Sequence, residues 1–232
     1  MKNNLYSEGA AEYHDKIMEA GYRDYAPFIK FMKKILTKKD VVLELGAGTG
    51  SVVSSLKSSC TIEAVENSPL MVATLKKNEP KLQVYTNGMS AIPGESRYTI
   101  IFSHSGPFSL KEEDDKLFFE TYLESKDQLI ECFKHIHRLL KVNGQLIINK
   151  EISRPERYLK LDENADYFST TIEDGSRILR THVVMDKKGR VLAKQTFTKT
   201  MVPYDHLKEE IADIGFSVDL DMMSVVAFKK RE

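Results

Sequence analysis

Val41-Val42-Leu43-Glu44-Leu45-Gly46-Ala47-Gly48-Thr49-Gly50 is the stretch on which the fold turns. Five residues, four of them apolar, run directly into three glycines at alternate positions. A short apolar run closed by a turn signal suits a parallel strand buried on both faces. The glycines let the backbone turn tightly and approach a ligand that side chains would exclude. In open α/β sheets ligands bind beyond the carboxyl ends of the strands, where the strand order reverses, so this loop predicts a site.

Outward from that strand the pattern alternates. Helices are predicted over residues 52–57, 69–77 and 126–140. Strands are predicted over 61–65, 83–86, 98–103 and 145–149, the last after the turn Val142-Asn143-Gly144. Such alternation builds βαβ units and a doubly wound parallel sheet. Upstream, residues 7–36 carry apolar residues three and four apart, with Gly21 between two helices and Pro27 in an early helical turn. Beyond Lys150, the turns Glu173-Asp174-Gly175 and Asp186-Lys187-Lys188-Gly189 separate strand-like runs at 167–172, 178–185 and 191–197, an antiparallel meander. A helix over 205–214 and strands over 216–220 and 225–228 return to the main sheet.

Composition sets the outer limits. The 232 residues are 41% hydrophobic and 29% charged, too apolar for a disordered chain. Lys+Arg and Asp+Glu are 34 each, so a zero balance gives no electrostatic case for nucleic acid or an anionic membrane. Two cysteines exclude a disulfide framework and point to a reducing compartment. No apolar run nears the roughly 20 residues of a membrane span, and Met1-Lys2-Asn3-Asn4 opens no signal peptide. A cytoplasmic protein is expected.

Two ligand classes compete for the glycine loop. A dinucleotide fingerprint, G-x-G-x-x-G, needs its third glycine where Ser51 stands. Glu44, a carboxylate at the end of a buried strand, calls for a cationic partner and repels a pyrophosphate. Glu66 ends the second strand about twenty residues on, where a carboxylate accepts hydrogen bonds from both hydroxyls of a ribose. The alternative for Glu66 is a surface residue before the next helix, with Asn67 or Ser68 as N-cap and Pro69 at its first position.

Residues 42–50, followed by Glu66-Asn67-Ser68-Pro69-Leu70-Met71, resemble the class I S-adenosylmethionine-dependent methyltransferases. Leu139-Leu140-Lys141-Val142-Asn143-Gly144 resembles that family's "LLKPGG" turn into strand five, with Val and Asn replacing Pro and Gly. Ile214-Gly215-Phe216 resembles its "aGF" step. Tyr6-Ser7 with Ala11-Glu12-Tyr13-His14-Asp15 resembles the "Y-D-x-x-A-x-x-Y-D" opening of small-molecule members. The meander resembles the insert of deoxyaminosugar N,N-dimethyltransferases and glycine N-methyltransferase relatives. The resemblance spans about residues 6–228.

It implies one α/β domain over residues 1–232: a Rossmann-like, doubly wound seven-stranded sheet with helices on both faces. A helical lid (1–37) precedes a core (38–150 and 205–232), and an antiparallel insert (160–204) follows strand five. The cofactor implied is S-adenosyl-L-methionine. Gly46, Ala47, Gly48 and Gly50 would lie against its amino-acid part, Glu44 near its ammonium and Glu66 on its ribose. Asn67 or Met71 would flank the adenine, with Asn87, Gly88 and Met89 after strand three, where the family commonly has Asp. Ser103, at the end of strand four, and Tyr13 complete the cofactor set, and Tyr6 would line the acceptor pocket.

The segment Ile100–Phe108 lacks the (Asp/Asn)-Pro-Pro-(Tyr/Phe) pattern of amide- or exocyclic-amine methyltransferases, and no carboxylate set resembles a catechol-type metal site. His104, just past strand four, is the candidate general base, or else a packing residue. His14 reads as a second base candidate or as a helix-surface residue, and His182 as facing either pocket or solvent. His135 and His137 share no helix face and predict no metal. Residues 111–116 read as a solvated loop or helix start, or as a lid. Arg154, Arg157 and Lys160 read as a polar connector or as contacts to an acidic acceptor. The expected activity is methyl transfer to N or O of a small molecule, by a monomer or homodimer. The alternatives are a nicotinamide-dependent oxidoreductase, or a non-catalytic adenosyl-ligand-binding or assembly protein.

Overall fold

The computed structural model describes residues 6, 8–88, 92–151, 156–222 and 224–231. In chain order α1 (Glu8–Ile17) and α2 (Ala26–Ile35) precede β1 (Val41–Leu45), α3 (Ser51–Leu56), β2 (Thr61–Val65), α4 (Pro69–Asn78), β3 (Val84–Tyr85) and β4 (Tyr98–Ser103). The hairpin β5 (Phe108–Glu113) and β6 (Lys116–Thr121) leads to α5 (Lys126–Leu139) and β7 (Leu140–Glu151). Strands β8 (Glu156–Lys160), β9 (Ala165–Asp174), β10 (Arg177–Asp186) and β11 (Val191–Pro203) follow. The chain closes with α6 (Lys208–Ile214), β12 (Phe216–Met222) and β13 (Val225–Lys230).

Seven of these strands form the main sheet in the order β3-β2-β1-β4-β7-β13-β12, all running the same way except β13, which is antiparallel to both its neighbours. Alternate residues of each strand feed opposite faces, which is why the strands read as unbroken apolar runs. Leu43, Leu45, Ile101 and Ile148 pack with Phe133, Ile136 and Ile211 of α5 and α6. Val42, Phe102 and Ile147 pack with Phe28, Met32, Val53 and Leu75 of α2, α3 and α4. Each such side chain contributes roughly 1.5–3 kcal/mol by leaving water. The order reverses at β1, whose neighbours β2 and β4 come from opposite directions, so the glycine loop sits at the switch point.

Three features differ from the sequence reading. First, the N-terminal helices part company: Phe28 and Met32 put α2 into the main core, while α1 packs on the insert, Gly9 lying 3.4 Å (by its added Cβ) from the Ala193 Cβ. A widened turn, Met18–Tyr22, breaks at Gly21 (φ +92°) and separates them. Second, residues 111–116 are neither loop nor helix start. They turn the β5–β6 hairpin at Asp114 and Asp115, both left-handed (φ +48° and +58°). The charge run hid the strand because Lys111 is 1% exposed, its ammonium held by Glu113 (3.1 Å) and Glu173 (2.8 Å). Third, the second sheet is larger than the meander. It runs β7-β5-β6-β11-β10-β9-β8, joined to the core by Leu110 and Lys111 pairing with Lys150 and Glu151 of β7.

Candidate active site

Two backbone bonds shape the turn after β1. The amides of Gly46 and Ala47 both donate to the Val65 carbonyl at the end of β2 (2.8 and 3.0 Å). Gly46 is left-handed (φ +73°), and a Cβ there would stand 2.7 Å from the Gly106 Cα. A Cβ on Gly106 would stand 2.0 Å from the Leu45 carbonyl oxygen. The loops after β1 and β4 therefore meet backbone to backbone, a contact only glycine permits.

Glu44 points to the α2/α3 face and is 2% exposed. Its carboxyl meets the Val53 amide at the start of α3, and its Oε2 has no hydrogen-bond partner among the described residues. Burial, reinforced by Glu66, pushes it well above the usual carboxylate range. Such an orphaned buried acceptor fits a cationic ligand group. The Glu66 carboxylate accepts from the Gly48 amide (2.8 Å) and from the Ser68 amide (2.8 Å). Glu66 thus ties the glycine loop to the approach to α4. Asn67 is exposed beside Gly88, whose added Cβ would stand 3.8 Å from the Asn67 Nδ2, while Met71 is buried in the first turn of α4. Asn87 is exposed at the end of β3. Met89 and Arg154 lie outside the described residues.

Five further side chains named in the sequence take definite places. Ser103 is fully buried and its hydroxyl donates to the Phe108 carbonyl (2.6 Å), so its proton is engaged within the chain. His104 lies between Phe28 (4.5 Å between ring centres) and Tyr25 (5.1 Å). Burial, then Arg23, pull its pKa down to about 4, and these ring contacts are the ones the packing reading of His104 calls for. Tyr13 packs with Ile17 and Tyr22 against the insert, and its helical neighbour His14 faces the glycine loop instead, with its Cε1 3.9 Å from where a Gly48 Cβ would be. The surface reading of His14 is corrected, since its side chain is only 11% exposed. Arg157 donates to the Gly21 carbonyl (3.0 Å) and to that of Tyr22, so it acts as a connector.

Tyr6 lies under the insert, flanked by His14 (5.4 Å) and Phe197 (5.0 Å). Burial, then Tyr122, raise its pKa well above the ordinary phenol value. A cavity of about 20 Å³, room for one water, separates α1 from β10 and β11, bounded by Tyr6, His14, His182 and Phe197. His182 faces inward, with Nδ1 2.8 Å from the Tyr167 hydroxyl. Burial and the Arg180, Arg23 and Lys199 charges lower it to about 3.

An ion-pair network under the insert was not anticipated. Arg23 reaches Glu151 (3.0 Å), Arg180 lies 3.9 Å from Glu151 and 4.0 Å from Glu120, and Lys199 holds Glu120 (2.9 Å). Burial would raise Glu151, but Arg23 and Lys199 outweigh it and hold the carboxyl far below its ordinary value. The signal lay in alternation: Ile178, Arg180, His182 and Val184 share one face of β10, two of them apolar.

Residues 43–148 match a family model described as a methyltransferase domain. The match covers the core of the main sheet, a little under half of the chain, and marks it as a methyltransferase domain. This match sets aside the nicotinamide reading. The methyltransferase is similar in structure to the CcbJ methyltransferase of Streptomyces caelestis (TM-score 0.74, 16% identity, 99% of each chain covered). It is also similar to DesVI of Streptomyces venezuelae (TM-score 0.75, 14% identity, 98% of this chain and 100% of that one). A third likeness is to the sugar N-methyltransferase KedS8 of a Streptoalloteichus species (TM-score 0.73, 16% identity, 99% and 97% covered). At these identities the likeness is one of fold. None of the curated proteins matches the sequence.

Proposed function

We propose that this methyltransferase modifies a nitrogen or oxygen of a small molecule held beneath the insert, an amine being the acceptor of choice. The observation that carries the reading is the roof: α1 lies between the insert and the glycine loop, His14 reaching Gly48 on one side while Tyr6, His182 and Phe197 gather on the other. Aromatic walls suit an ammonium or methylated amine through cation–π attraction. The similar Streptoalloteichus protein is itself described as a sugar N-methyltransferase. When bound, the cofactor supplies an electrophilic methyl group on a positively charged sulfur.

In this reading Gly46, Ala47, Gly48 and Gly50 receive the amino-acid part, and the free Oε2 of Glu44 takes its ammonium. Glu66 turns its carboxylate to the ribose, with Asn67, Met71, Asn87 and Gly88 at the adenine end and Tyr6 walling the acceptor. Much of the rate then comes from alignment, as expected for an in-line displacement. The reading also places the protein in the cytoplasm as a monomer or homodimer. Among the described residues, no helix is long and apolar enough to cross a membrane.

The test incubates the protein and S-adenosylmethionine with amino sugars, amino acids and aryl amines, each beside its hydroxyl counterpart. S-adenosylhomocysteine release and product mass are followed. Methylated amine with little methylated alcohol is expected. Methylation confined to added protein or nucleic acid would overturn the reading.

A further inference from the structure

We propose that His14, oriented by Asp15, takes the proton an acceptor amine must lose before it is methylated, an inference that rests on the methyl-transfer reading above. His14 stands where the two halves of the site meet. One side of its ring covers Gly48 in the cofactor loop, and the other borders the cavity shared with Tyr6, His182 and Phe197. Its Nδ1 lies 3.0 Å from Asp15 Oδ1. Asp15 is held ionised first by the His14 bond and also by the Thr49 hydroxyl, which donates to the same oxygen at 2.6 Å. An ionised carboxylate only accepts, so Nδ1 must carry the proton and Nε2 keeps its lone pair. Thr49 belongs to the glycine loop, so one carboxylate fixes both the tautomer of His14 and its place over the cofactor.

The other candidates in the crevice are packed against rings or ion-paired. His104 is sandwiched between Phe28 and Tyr25, His182 is bonded to Tyr167 amid three cations, and Glu151 and Glu120 are ion-paired. The groups facing His14 are Asp15 on its own helix, Tyr6 before it, Glu66 behind Gly48, and His182 and Lys194 from the insert. The step balances simply. The ammonium proton passes to Nε2 and then to solvent, the freed nitrogen lone pair forms the N–C bond, and the C–S electron pair stays on sulfur.

The experiment uses methylamine, small enough for any amine pocket, with the intact protein. His14→Gln is expected to lower kcat about 100-fold, while S-adenosylhomocysteine affinity by calorimetry moves less than about threefold. Its residual rate should follow the free-amine fraction, so the wild-type acid limb of the pH profile is replaced by a rate that climbs steadily with pH. Asp15→Asn, which keeps a side-chain oxygen for Thr49, should show a smaller loss in kcat with little change in KM. Independently of turnover, the proton resonance of the His14 ring in the S-adenosylhomocysteine complex, identified by its absence in His14→Gln, should shift its titration when methylamine is added. Unchanged kcat and pH profile in His14→Gln, or kcat and cofactor affinity falling together, would make His14 a packing residue and overturn the inference. Wild-type protein that binds S-adenosylhomocysteine yet never turns over methylamine or any amine of the panel overturns the acceptor reading and this inference with it.

Discussion

Two backbone amides already occupy the Glu66 carboxylate, that of Gly48 from the glycine loop and that of Ser68 from the approach to α4. Replacing Glu66 by Ala removes the proposed ribose acceptor and both of these loop bonds together. Calorimetry should show S-adenosylhomocysteine binding weakened by roughly 1.5–3 kcal/mol, and unchanged affinity would remove Glu66 from the site. His104 yields a prediction of a different kind. Its folded pKa of about 4 lies below the ordinary 6.5, so between those values the unfolded chain binds the extra proton. Its contribution is complete above about pH 6.5 and is lost as pH falls toward 4. From pH 7 to pH 5 the loss is on the order of 1–2 kcal/mol. Urea midpoints should fall over that range in the wild type and fall less in His104→Leu. The spacing of Glu44 and Glu66 around the glycines was legible because it is local. The neighbours of His104 were not, because Phe28 arrives from α2, some seventy residues upstream.

At the scale of elements, the turns that carry the site depend on backbone contact. The glycine loop announced itself, yet Gly106, its counterpart after β4, carries no left-handed φ and no motif. Its need for glycine comes from Leu45 across the crevice. Gly106→Ala should cost at least about 3 kcal/mol in urea unfolding, since backbone atoms cannot step aside as a side chain can. Gly175→Ala, at φ +58° in a turn with no neighbouring atom within 4 Å of an added Cβ, should cost only about 1 kcal/mol for its backbone conformation. Equal costs would mean that the two loops do not meet as described. The β5–β6 hairpin was illegible for a related reason: Lys111 is polar in sequence and buried in fact, and its partner Glu173 lies on β9, beyond the reach of any local pattern. The main-sheet strands were legible because burial on both faces writes an uninterrupted apolar run.

Across the whole molecule, a buried ionic network spans the join between core and insert, beside the β5–β7 pairing and the apolar contacts of α1. Arg23 comes from the elbow between α1 and α2, Glu151 from β7, Glu120 from β6, and Arg180 and Lys199 from β10 and β11. Every structural unit over the site therefore lends a charge to one buried network. Burial alone would lower Lys199, but Glu151, Tyr122 and Glu120 outweigh it and hold the ammonium above its usual value. Such pairs add little over apolar residues of equal volume, whereas removing one partner strands the other's charge in a poor solvent. Lys199→Met or Glu120→Met alone should then cost about 3–5 kcal/mol. The double replacement should cost clearly less than the sum, because no charge in that pair is left behind. Urea unfolding of the four proteins closes the cycle. Additive costs would mean that Lys199 and Glu120 do not act on each other, and that this pair adds nothing of its own to the join.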